Sequence, residues 1–274
     1  MINYTAISKN KGGQMSITRI GTCGYGYYKP KDSWKEKYES KLQAYSDSFE
    51  TVEINKTFYK LPMVKTAEKW KDNAFEDFVF NFKAWQALTH PTSSPTWRNK
   101  KDQFSESQKE NFGYLRPNQD VINAWEKTKD IGKALEAEVC LIQTPGSFDC
   151  NEKNEKNLRK FVQKIDRNHL NIAWEPRGDW KDNPKRVEKI CDDLNLIHVV
   201  DILRREPISS HNIAYIRLHG LNPNEYNYDY DYSDEELQQL TEKLENLSNE
   251  HDKIYCMFNN YEMFENAKRL EEIL

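Results

Sequence analysis

The residues of this chain that could do chemistry sit inside or just after short apolar runs. Glu53 and Asn55 lie in TVEINKTF, with Tyr59 just beyond. Lys83 lies in FVFNFKAW, and His90 follows it. Gln143 falls in EVCLIQT, and Glu175 ends NIAWE with Arg177 two residues on. Asp201 lies in IHVVDIL, Arg217 and His219 in AYIRLH, and Asn259 follows KIYCMF. A charge inside an apolar run is costly unless it is paired or hydrogen-bonded. Each of these groups therefore needs a protein partner or a ligand. As a purely structural network, Glu53 would pair with Lys83 and Glu175 with Arg217. As a site, Lys83, Arg177 and Arg217 are three cations, and a guanidinium fork matches carboxylate or phosphate geometry. Glu53 or Glu175 would then serve as general base and His219 as general acid. The Gly-rich turn GTCGYG would let backbone N–H groups approach an anion.

The elements that must position these residues alternate. Strand-like runs fall at 17–22, 51–58, 78–85, 138–144, 171–175, 197–203, 214–219 and 253–258. Helical stretches fall at 34–48, 65–73, 121–136, 152–165, 184–194, 234–247 and 264–274, with Ser233 and Glu236 spaced as a capping box. Eight strands with helices between most of them argue for a parallel sheet and a (β/α)8 TIM barrel. The connection at 204–213 is too short for a full helix. In such barrels the site lies at the C-terminal strand ends, where these polar residues fall. The expected organisation is an N-terminal extension at 1–16 and one barrel domain at 17–274. A polar insertion at about 89–120 follows the third strand.

Composition narrows the function classes. With 40 Lys+Arg against 44 Asp+Glu in 274 residues, the net charge is -4. That balance gives no global reason to bind nucleic acid or an anionic membrane. No stretch has the roughly 20 apolar residues of a membrane helix, and mean hydropathy is -0.94. No signal-peptide pattern opens the chain. The five Cys have no C-x-x-C spacing. A soluble cytoplasmic protein is expected, with a small anionic molecule as partner. Nucleic acid is the less favoured partner. Its candidate surface is the insertion, with Arg98, Lys100, Lys101, Lys109 and Arg116 beside Trp97, Phe104, Phe112 and Tyr114. Asp102, Glu106 and Glu110 dilute that charge.

The segments IGTCGYGYYKP, FETVEINKTFYKLP, FNFKAWQALTH, AWEPRGDW, YIRLHG and FNNYEMFENAKRL, in this order, resemble the domain-of-unknown-function 72 (DUF72) family. The likeness runs from about residue 20 to the C-terminus. It implies a TIM barrel and no settled activity. By motif, Glu53, Asn55, Tyr59, Lys83, Gln143, Glu175, Arg177, Arg217, His219 and Asn259 occupy the family's usual polar positions. Among them the residue chemistry makes Glu53, Glu175 and His219 the catalytic candidates. The ligand-binding candidates are Asn55, Tyr59, Lys83, Gln143, Arg177, Arg217 and Asn259. The chain departs from the family at Cys23, Gly178 and Tyr261, where Ser, His and His are usual. The expected ligand is small and anionic or sugar-phosphate-like, with no cofactor, held by an enzyme or a binding barrel. An alternative places a divalent metal (Mn, Mg or Zn) on Glu175, Asp201 and His219, an order that resembles xylose-isomerase-like and endonuclease IV-like barrels. Asn259 and Asn260 stand where those barrels carry another carboxylate, and Arg177 and Arg217 would repel a cation.

Overall fold

A computed structural model of the protein describes residues 5–9, 13, 15–30, 33–225 and 227–274. The described residues form β1 (Thr5–Lys9), β2 (Met15–Thr22), β3 (Thr51–Ile54), β4 (Val79–Lys83), β5 (Val139–Gln143), β6 (Asn171–Glu175), β7 (Ile197–Val200), β8 (Ile213–Leu218) and β9 (Lys253–Phe258). They pair in sequence order, and β2 also pairs with β9. The pairs β2–β3, β2–β9, β4–β5, β5–β6, β7–β8 and β8–β9 are parallel. This is the (β/α)8 order that the alternation predicts. One strand is added to it: β1 pairs antiparallel with β2 and lies in the segment that sequence reading leaves as an extension.

The strand sequences carry their own explanation. A parallel strand covered on both faces reads as a continuous apolar run, and every residue of β3, β5, β7 and β8 is buried. Helices end where the sequence supplies caps. Ser233 and Glu236 form the expected capping box at the start of Asp234–Ser248. Pro184 opens Pro184–Leu194, which closes on Asn195 in the left-handed region. No helix forms at 204–213.

Two expectations are corrected. The helix expected at 34–48 is two helices, Trp34–Lys37 and Lys41–Ser46. Ser40 breaks it by turning extended and accepting the Gln43 N–H on its hydroxyl. The strand expected at 51–58 ends at Ile54 and gives way to a helical turn, Lys56–Tyr59. There the Thr57 hydroxyl lies 2.6 Å from both the Ile54 and Lys83 carbonyl oxygens, its proton serving one of them. The insertion, expected as a polar segment, also carries an aromatic core. Trp97 and Phe112 are buried and stack at 5.8 Å, with Phe104 and Trp85 against them. The Lys100 and Lys101 side chains lie outside the described residues.

The chain divides into two compact units. One comprises Met1–Glu53, Asn73–Val79 and Ile197–Leu274; the other comprises Ile54–Asp72 and Phe80–Leu196. In the first, buried Tyr45 ties β2 to β3. Its hydroxyl donates to the Thr51 carbonyl at 3.0 Å and accepts the Thr22 N–H at 3.1 Å. Beside that link, β2 meets β3 at Gly21 opposite Thr51. A Cβ on Gly21 would lie 2.3 Å from the Thr51 carbonyl oxygen. Gly21→Ala is therefore expected to cost about 1–3 kcal/mol through overpacking. A fall in the urea midpoint at unchanged slope would bear this out; a wild-type midpoint would mean that the two strands separate freely.

Candidate functional site

Strand parity decides which side chains can meet, because alternate residues of a strand share a face. In the first unit, Tyr215 and Arg217 lie two apart on β8, and Glu53 lies two beyond Thr51 on β3. Glu53 and Arg217 are closed off from water, their side chains 0% and 1% exposed. Arg217 grips the carboxylate with two donors, Nη2 to Oε1 at 2.9 Å and Nε to Oε2 at 3.1 Å. The Tyr215 hydroxyl donates to Oε2 at 2.9 Å. Three donors on one carboxylate compensate its desolvation, and two of them are charge-assisted. They also take three of the roughly four lone-pair sites of the carboxylate, which leaves it a weak general base.

Arg217 fixes the groups around it. Its Nη1 lies 3.3 Å from His219 Nε2, and its Nη2 lies 3.6 Å from Cys23 Sγ. Burial, reinforced by Glu53, pushes the Cys23 thiol well above its ordinary range. It is a thiol at neutral pH, whereas a nucleophile needs the thiolate. Burial and then Glu53 likewise raise Tyr215. The His219 backbone N–H donates to Asp201 Oδ2 at 3.0 Å, and the Leu203 N–H to Oδ1 at 3.1 Å. Asp201 thus anchors the His219 backbone, and its carboxyl is lifted to about 6, chiefly by burial. Asn259 continues the strand ladder, its N–H donating to the Leu218 carbonyl.

The second unit carries its own cluster at the ends of β4, β5 and β6. Lys83, Gln143 and Glu175 are the last residues of those strands, and Gln143 stands in register with Glu175. Arg177 donates from Nη2 at 2.8 Å and Nε at 3.2 Å, both to Glu175 Oε1. Lys83 Nζ sits 4.1 Å from the centre of the Phe58 ring, a cation–π contact. His90 stands edge-on to the same ring at 4.9 Å. Burial first, then Lys83 and Arg177, hold the His90 imidazole down to about 3. Two cations therefore act on one buried spot. Asn55 starts the turn Lys56–Tyr59. Tyr59 is 46% exposed, and its carbonyl accepts a Gln86 side-chain N–H.

Of the residues that the sequence singles out, Glu53, Arg217, His219 and Asp201 meet in the first unit. In the second, Arg177 meets Glu175, and Lys83 and His90 share the Phe58 ring. The ion pairs formed within the units are Glu53–Arg217 and Glu175–Arg177. Among the described residues, no group of three or more His, Cys, Asp or Glu could hold a metal ion. Sequence reading missed Tyr215 and Cys23 as contacts of the Glu53–Arg217 pair, and it gave His90 no role. Parity signals Tyr215, two residues before Arg217. The aromatics Trp85, Trp174 and Trp180 are core. No helix among the described residues is long and apolar enough to cross a membrane.

Residues 19–274 match the model of a family described as a protein of unknown function, DUF72. The UPF0759 protein YunF of Bacillus subtilis (strain 168) is 25% identical over 286 residues, covering 93% of this chain and 94% of that one. A DUF72 family protein (EF0366) from Enterococcus faecalis V583 superposes with a TM-score of 0.69 at 20% identity, over 93% of this chain and 96% of that chain. A xylose isomerase domain containing protein (stm4435) from Salmonella typhimurium LT2 gives 0.52 at 13% identity, over 93% and 95%. The last two likenesses show the fold.

Two predictions follow from the first unit. Arg217→Met leaves Glu53 buried and unpaired, and loss of one partner of a buried pair costs about 3–5 kcal/mol. Urea unfolding should show that loss, and the double variant Glu53→Gln/Arg217→Met should recover part of it. A single-variant cost under about 1 kcal/mol would sink the assignment. The second concerns Asp201. Its folded-state pKa of about 6 exceeds the unfolded value of about 3.9. Its stabilising contribution is full below about pH 4 and is lost as pH rises through about 6. The stability of the wild type relative to Asp201→Asn should fall across that window; a flat difference would refute it.

Proposed function

The chain belongs to the DUF72 family, and we propose that it binds a small anionic, sugar-phosphate-like molecule at the cluster of Lys83, Arg177 and His90 in the second unit. One observation carries this reading: Lys83 and Arg177 both raise the potential at the buried His90 imidazole. A positive potential in a partly desolvated place favours an anion, because Coulomb interactions strengthen as water is excluded. Glu175 fastens the Arg177 fork from one side through a single oxygen. The Lys83 ammonium also packs over the Phe58 ring. Gln143, in register with Glu175, adds an amide for a ligand oxygen.

The pair in the first unit has another task in this reading. Glu53 positions Arg217, and its oxygens are engaged by Arg217 and Tyr215. Proton transfer, where a reaction needs it, falls to Glu175 rather than Glu53.

Titration calorimetry with glycerol 3-phosphate and inorganic phosphate tests the reading. Arg177→Ala and Lys83→Met should each weaken binding about 10- to 100-fold, the loss of one charged hydrogen bond being worth about 1.5–3 kcal/mol. Circular dichroism should show the fold retained. Wild-type affinity in both variants, or no binding to the wild type at millimolar ligand, would overturn it.

A further inference from the structure

His90 is the side chain of this cluster to which anion binding gives no work. The residue is 7% exposed, and every contact it makes fixes its ring. Nδ1 lies 2.8 Å from the Thr89 hydroxyl. The ring stands edge-on to Phe58. Its backbone N–H donates to the Gln86 carbonyl at 2.8 Å, and its carbonyl accepts the Trp97 indole N–H at 3.1 Å. These contacts engage Nδ1 and not Nε2, and Nε2 is not one of the side-chain atoms sealed from water without a partner.

Lys83 touches the Phe58 ring that His90 touches, so the imidazole and the ammonium serve one neighbourhood. Held neutral by burial and by the two cations, the imidazole adds no charge for an anion. It offers one directed hydrogen bond. We propose that His90 Nε2 hydrogen-bonds a ligand hydroxyl lying beside the anionic group held by Lys83 and Arg177. The ligand class is then a hydroxylated anion, of the polyol-phosphate or hydroxy-acid kind, and not a bare or alkyl anion. This rests on the anion-binding reading above. A site built to hydrogen-bond a hydroxyl rejects the analogue that lacks it, because its own buried polar group is left unpaired.

The test compares three probes, inorganic phosphate, glycerol 3-phosphate and propyl phosphate, by titration calorimetry on the full chain. The wild type should bind glycerol 3-phosphate about 10-fold tighter than propyl phosphate. His90→Phe should bind those two alike and leave inorganic phosphate unchanged. His90→Gln, which keeps a polar group and guards against a packing defect, should restore part of the preference. Lys83→Met should weaken all three probes together. No preference in the wild type, or a full preference in His90→Phe, overturns the role of His90 while the anion site stands. Phosphate binding that Lys83→Met leaves untouched, or no binding of any probe, overturns the anion site and this inference with it.

Discussion

A carboxylate that water does not reach governs the chemistry of the first unit. Glu53 is ionisable, fully enclosed and placed in a strand whose other residues are apolar or small. Such a group is tolerated only if donors replace its hydration. Arg217 and Tyr215 do so, and they can because the same strand delivers both, two residues apart on one face. Once Arg217 is committed to Glu53, its remaining N–H groups point where the fork directs them, at His219 and Cys23. The rigidity of the cluster thus follows from the cost of a single buried charge.

The second unit solves the opposite problem. Around His90 stand two cations, and Glu175 meets Arg177 through one oxygen. In the first cluster a carboxylate and a guanidinium face each other; in the second, burial and then Lys83 and Arg177 keep the His90 imidazole neutral. Groups whose environments shift them strongly in one direction are candidates for function, while balanced ion pairs are commonly structural. That contrast separates residues which look equivalent in the sequence. Glu53 and Glu175 both end or interrupt apolar runs, but Glu53 meets Arg217 and Tyr215 while Glu175 meets Arg177.

The sequence shows the strand order, because each parallel strand is an apolar run of about five residues closed by a polar one. It shows the polar set for the same reason. What it does not show is pairing. Whether Glu53 takes Lys83 or Arg217 depends on register and reach, which a run of residue types does not contain. The break at Ser40 and the turn at Asn55 were hidden because their neighbours keep helix-like or strand-like spacing. Only the side-chain bonds of Ser40 and Thr57 decide the matter. The aromatic core of the insertion was hidden by composition: four aromatics among many charges read as a solvated loop, yet two of them are buried.

The insertion acts directly on the segment that carries His90. Backbone N–H groups of Gly113, Tyr114 and Leu115 donate to the carbonyls of Ala87, Thr89 and Leu88 at 2.9, 2.9 and 2.8 Å. All three donors have positive φ, at 88°, 55° and 49°. Gly113 can have no side chain, since a Cβ there would lie 2.4 Å from the Pro91 nitrogen. Two successive non-glycine residues in the left-handed region store strain, about 1 kcal/mol or more each, and persist only where the surroundings over-determine them. Here the stacked Trp97 and Phe112 hold one side and the three hydrogen bonds the other. The Trp97 indole closes the clamp on the His90 carbonyl itself. The segment is therefore a brace for the His90 turn. The strain it carries offsets part of its own packing, which is reason enough for an otherwise polar stretch to keep Trp97, Phe104 and Phe112 together.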